Sequence, residues 1–171
     1  MKRVFLVIVA ALVALPAVAA DPAEGYWKSF DDKDKTRVDA YWKVWSNGGT
    51  LQGSIVRIPG WPDSQRFTAF KPGSKRDYDR SPSGPITADT PIIGTIWMYD
   101  LRFKKRGLWV DGRIIHCAKC EVYGAECDYR NVGGKEILEF RGYLLGSRLF
   151  KDTKHWERAT PEELAANGIT P

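Results

Sequence analysis

Hydrophobic and polar positions alternate with a period of two along most of the chain. Thr36 to Ser46 sets Val38, Ala40, Trp42 and Val44 on one face and Arg37, Asp39, Tyr41 and Lys43 on the other, the pattern of a half-buried β-strand. Gly25 to Phe30 reads as a shorter strand before it, closed by the polar cluster Asp31-Asp32-Lys33-Asp34-Lys35. Asn47-Gly48-Gly49 is a hairpin signal, because these residues tolerate positive φ, and Thr50 to Ile58 is the returning strand. Strands resume at Ile92 to Tyr99, turn near Lys104-Lys105-Arg106-Gly107, and continue through Leu108–His116, Glu121–Arg130, Lys135–Tyr143 and Ser147–Arg158. Asn131-Val132-Gly133-Gly134 and Gly146 separate the last three. About eight strands joined mostly by tight turns predict an all-β, up-and-down antiparallel barrel, because eight such neighbours close on themselves and leave no free edge.

Three segments depart from this rhythm. Residues 1–20 carry Lys2 and Arg3, an apolar run from Val4 to Leu15, then Pro16 and the small residues Ala17-Val18-Ala19-Ala20. That is the layout of a cleavable signal peptide, with the mature chain starting at Ala20 or Asp21 and a periplasmic or secreted destination. Residues 59–91 hold six of the ten prolines and a basic stretch at Lys71, Lys75, Arg76 and Arg80, a long surface loop inserted in the barrel of residues 21–160. Residues 161–171 form a polar tail with one helical turn at Pro161-Glu162-Glu163-Leu164.

Composition narrows the class. Removing Lys2 and Arg3 leaves 24 basic against 21 acidic residues, so the net charge falls from +5 to +3, while 20 of the 21 aromatic residues lie beyond residue 20. A polytopic membrane protein, a disordered chain and an aromatic-poor helical bundle are excluded. So small a charge on an exported chain argues against a nucleic-acid partner, and the processed chain has no membrane-spanning segment.

Six short pieces in order resemble one bacterial family. They are Gly25-x-Trp27, Gly53-Ser54-Ile55-Val56-Arg57-Ile58, Pro91-Ile92-Ile93-Gly94, Trp109-x-x-Gly112-Arg113-Ile114, Arg141-Gly142-Tyr143 and Trp156-x-Arg158. The chain is similar in these to the family catalogued as domain of unknown function 2147. The resemblance implies a lipocalin-like (calycin) exported barrel and carries no established catalytic residues. Gly25-x-Trp27 also resembles the lipocalin opening, in which the Trp closes the barrel floor beneath an Arg of the last strand. Arg158 matches that Arg by position and implies a structural plug with Trp27. The 59–91 segment and Cys117-Ala118-Lys119-Cys120 depart from the family pattern.

No chemistry of catalysis stands out. There is no Gly-x-Ser-x-Gly, P-loop or dinucleotide glycine pattern, and the only histidines are His116 and His155. Three cysteines in an oxidising compartment predict one disulfide and one thiol. A hairpin within Cys117 to Glu121 leaves Cys127 out of reach down the return strand, which favours Cys117–Cys120 as the bridge and Cys127 as a buried small hydrophobe. His116, Cys117, Cys120 and His155 do not make a closed metal site, because strand neighbours point to opposite faces; no metal or cofactor is expected. The alternation directs Trp42, Ile55, Trp97, Tyr99, Trp109, Tyr123 and Tyr143 inward, where they either fill the core or line one cavity. The function expected is non-enzymatic binding of a small apolar or amphipathic molecule, with the 59–91 loop as rim or lid. The alternative is an envelope protein–protein interaction module on a filled barrel.

Overall fold

The computed structural model describes residues 20–68, 81–117, 121–145 and 151–171. Eight strands follow one another: β1 Gly25–Phe30, β2 Val38–Asn47, β3 Thr50–Arg57, β4 Ile96–Lys105, β5 Leu108–His116, β6 Glu121–Val132, β7 Lys135–Leu144 and β8 Lys151–Arg158, then the helix α1 Pro161–Ala166. Each strand pairs with the next, and β8 returns to β1 to give a closed barrel. All eight pairings are antiparallel. Residues 1–19 of the expected signal peptide (1–20), the basic residues Lys71, Lys75, Arg76 and Arg80, and Cys120 lie outside the described residues.

The alternation seen in the sequence becomes an inner and an outer face. Trp27, Trp42 and Ile55 stand in one cross-strand row, and Trp109, Cys127, Phe140 and Lys154 in another. The neighbouring positions on β6 and β7 face out and form a charged ladder, in which Arg141 binds Glu126 at 3.1 Å and Glu139 at 2.5 Å.

β4 begins four residues later than the pattern implies and runs on to Lys105. The reason lies in the backbone of the preceding segment. Phe67 N donates to Thr90 O and Ile92 N to Gln65 O, so residues 90–92 pair within the loop rather than with β5. The described ends of that loop are built into the fold: Phe67 and Ile86 are buried, Phe67 packs on Trp97 at 5.3 Å, and Trp97 Nε1 donates to Ile92 O at 2.7 Å. Burial of one such aromatic ring contributes about 2 kcal/mol, enough to hold these loop ends against the barrel.

The tail is likewise more than polar chain. Thr160 caps α1, its hydroxyl accepting from Glu163 N while the Glu163 carboxylate accepts from Thr160 N, a reciprocal capping box. Leu164 is buried with Tyr41 and Ala159, Asn167 Nδ2 donates to Tyr41 Oη at 3.2 Å, and Lys28 Nζ meets Glu163 at 2.5 Å. α1 thus covers an outer patch of β1 and β2 that alternation alone leaves half-apolar.

Two strand glycines have opposite surroundings. A Cβ on Gly112 would lie 2.2 Å from Leu101 Cγ and 2.8 Å from Leu101 Cα, whereas one on Gly142 would have nothing within 4 Å. Gly112→Ala is therefore expected to lose about 1–3 kcal/mol to overpacking, and Gly142→Ala to stay within about 1 kcal/mol of the parent. Urea midpoints of the two variants check this; equal losses would contradict the packing described.

Candidate functional site

The two ends of the barrel differ. Short hairpins close one end, at residues 47–50, 105–108 and 132–135. Arg158 lies across that floor, its Cζ 4.0 Å from the centre of the Trp27 ring. Its Nη1 donates to Glu24 O at 2.6 Å and Nη2 to Pro22 O at 2.7 Å, and Glu136 accepts from its Nε and Nη2. Gly25 makes room for it: φ is +124°, and a Cβ there would meet Arg158 Nη1 at 2.3 Å. Asp21 ties the approaching chain down by accepting from Gly107 N and Trp109 Nε1. Above the plug, Val44, Leu51, Met98, Leu101, Cys127 and Leu138 pack solidly.

Toward the other end the packing stops. A cavity of about 1210 Å³ opens at this end, bordered by Phe30, Val38, Ile58, His116, Leu144 and Asp152. Its floor is a stack of rings: Trp156 lies 4.8 Å from Trp42 and 5.1 Å from Phe140, at 22° and 9° between planes. Ile55, Ile92, Ile114, Cys117 and Tyr123 form walls. Trp42 Nε1 donates to Ser29 Oγ at 3.3 Å, so the indole polar atom is satisfied without a ligand. Gly142, with open space where a side chain would stand, widens one wall, a use of glycine that fits close approach of another molecule. Trp61 and Leu144, each about half exposed, stand on the rim.

Charge is confined to the mouth. Asp31 pairs with Arg37, Asp32 with Lys154, and Asp152 with Lys154 at 3.0 Å. Backbone N–H groups of Asp34 and Lys33 hold the Asp31 carboxyl below the ordinary range, and the Lys154 ammonium does so for Asp32. Burial pushes the Cys117 thiol well up, so it stays protonated and a poor nucleophile. Among the described residues no disulfide is present: Cys117 and Cys127 are free thiols. The expected Cys117–Cys120 bridge is thus not found, and Cys117 instead turns into the cavity wall, its Sγ 4.0 Å from Ile115 O. Cys127 is buried, its Sγ 3.7 Å from Met98 Sδ. No group of three or more His, Cys, Asp or Glu is placed to hold a metal among the described residues.

Of the seven residues expected to point inward, Trp42, Ile55, Tyr123 and Tyr143 border the cavity; Trp97, Tyr99 and Trp109 do not. Trp109 faces inward at the plugged end, beside Asp21 and Phe103. Trp97 and Tyr99 are displaced by bulges in β4, where four residues from Met98 to Leu101 oppose three from Gly53 to Leu51 and Asp100 takes φ +59°. Each extra residue shifts the face of those around it, and Met98 occupies the inward place over Gly53. Tyr143 is off by one: it shares a face with Glu139 and Arg141, its ring lies across Gly124, and Gly142 is the inward residue. Trp156 and Phe140 were not foreseen. A signal existed for Trp156, since two residues apart on a strand share a face, and Arg158 inside places Trp156 inside.

A closed eight-stranded barrel with a Trp–Arg plug at one end and an open aromatic cavity at the other is a lipocalin-like barrel. Among solved structures it is similar to protein HP1028 from Helicobacter pylori, described as belonging to the lipocalin family, with a TM-score of 0.63 and 12% identity over 87% of this chain and 90% of that one. The chain belongs to the bacterial family described as "uncharacterized protein conserved in bacteria" (DUF2147), which matches residues 25–158. No curated protein matches it in sequence.

The plug carries a pH dependence. The Arg158 hydrogen bond, with Tyr129 Oη as a second donor, holds Glu136 below its ordinary value of 4.5. A carboxyl lowered on folding contributes stability that is complete above the unfolded value and is lost as pH falls through the folded one. The urea midpoint of the parent should therefore fall more between about pH 7 and about pH 3 than that of Glu136→Gln. Equal falls would show that the plug carboxylate does not contribute.

Proposed function

We propose that the protein is an exported, non-enzymatic binding protein that takes a small apolar or amphipathic molecule into its barrel. The observation that carries this is the cavity itself, about 1210 Å³ over a floor of stacked rings, in a barrel whose other end is plugged. A concave site lined mostly by apolar and aromatic side chains with few polar groups gains affinity by burying ligand surface. The described parts of the 59–91 loop supply Pro59, Trp61 and Gln65 to the rim, which supports its reading as a mouth. Export is read from residues 1–20, with a basic start, an apolar stretch and a small-residue end. Among the described residues no helix is long and apolar enough to cross a membrane.

Binding is tested by filling the cavity. Gly142→Leu places a side chain in open space and is expected to weaken binding of a fluorescent fatty-acid probe by about tenfold or more, with the urea midpoint unchanged. Native mass spectrometry of protein purified from its own envelope, followed by organic extraction, is expected to recover a small molecule from the parent and less from the variant. Bare polypeptide in both, with no response to added amphiphiles, would leave the protein–protein interaction reading in its place.

Export is tested by the N-terminus of the protein recovered from the producing bacterium. It should begin at Ala20 or Asp21 and fractionate with the periplasm or medium; an intact Met1 in the cytoplasm would refute the proposal.

A further inference from the structure

Five tryptophans are buried: Trp27, Trp42, Trp97, Trp109 and Trp156. A buried indole N–H ordinarily donates to a partner, and four of these do. Trp27 donates to Ala23 O at 2.9 Å, Trp42 to Ser29 Oγ at 3.3 Å, Trp97 to Ile92 O at 2.7 Å and Trp109 to Asp21 Oδ1 at 3.1 Å. Trp156, only 3% exposed, has no acceptor for its Nε1 among the described residues. Its N–H is not sealed in the core either. Among the described residues, the side-chain nitrogen shut off from solvent without a partner is Arg57 Nε. The Trp156 N–H therefore reaches open space, and the space that Trp156 borders is the barrel cavity.

The depth of this donor follows from β8. Lys154, Trp156 and Arg158 share the inner face of the strand, with Lys154 paired at the mouth and Arg158 in the plug. Trp156 lies between them, at the floor. Trp42 and Phe140 are stacked on its two faces, so only its edge is open to a ligand. The polar groups around it are otherwise committed. Ser29 Oγ, which accepts the Trp42 N–H, donates in turn to Ala40 O at 3.3 Å, and the Lys154 ammonium is held by Asp32 and Asp152.

Resting on the barrel-binding reading, we propose that the ligand is an uncharged apolar molecule bearing an acceptor oxygen, as in a ketone, ester or ether, and that this oxygen is carried to the floor and accepts from Trp156 Nε1. A hydrocarbon in the same space would displace water from the N–H and leave it unpaired, a cost that a matching acceptor removes. A carboxylate there would exchange its hydration for a single neutral donor, so the acceptor that fits is a neutral one.

The probes are methyl hexyl ketone and the alkene in which a CH2 group replaces its carbonyl oxygen, two molecules of nearly one shape. Each is titrated into nitrogen-labelled protein, and the indole N–H signals are followed by nuclear magnetic resonance. The Trp156 signal is assigned by its loss in Trp156→Phe, and in the parent by its proximity to the Phe140 ring, 5.1 Å away. With each probe bound, the Trp156 proton is expected further downfield for the ketone than for the alkene, while the other indole signals differ little. In Trp156→Phe the ratio of ketone to alkene affinity is expected to fall about tenfold; the ratio cancels the change in packing, which both probes share. If the Trp156 proton lies at one position with either probe bound, or the variant keeps the parent's ratio, the acceptor proposal falls while barrel binding stands. Should the variant not fold, the parent's spectra decide by themselves. If neither probe binds, the barrel-binding reading falls as well.

Discussion

The fold depends on one seam. β1 and β8 share only two registered pairs, Trp27 with Arg158 and Lys28 with Glu157, so backbone hydrogen bonds close the barrel weakly there and side chains do the rest. A guanidinium on a buried indole contributes about 2 kcal/mol when desolvated, and the same group satisfies two carbonyls of the entering chain and a carboxylate of β7. Removing Arg158 would thus unfasten the first strand, the last strand and the N-terminal crossing together. The helix that follows is tied to the same place, since Ala159 N donates to Tyr26 O and Lys28 reaches both Glu157 and Glu163.

A barrel plugged at one end can afford an opening at the other. The plugged half is packed with aliphatic side chains, sulfur and the Trp27 and Trp109 rings, and the open half carries three stacked rings and a glycine wall. Rings suit this position because they hold one another in place by stacking.

Much of this was legible in the residues. Strands β1 and β5 have the predicted limits, and β2, β3, β6 and β7 differ by a few residues at most, because period-two alternation and Asn-Gly turns are local signals. The Trp27–Arg158 pair was legible through family resemblance. The cavity lining was legible only in part: Trp42 and Ile55 keep the face that alternation gives them although a bulge lies beside them at Val56, whereas Trp97, Tyr99 and Tyr143 depend on register. The tail was underrated because its apolar residues, Leu164 and Ile169, are too few to signal burial until Tyr41 and Val56 are beside them.

The amino-acid sequence by itself determined the number of strands, their order and the antiparallel closure, since each follows from a few consecutive residues and the short turns between them. Only the tertiary structure decided which residues of those strands face the cavity. A bulge is a mismatch between two strands, and one extra residue exchanges inside for outside; that is how Met98 displaced Tyr99.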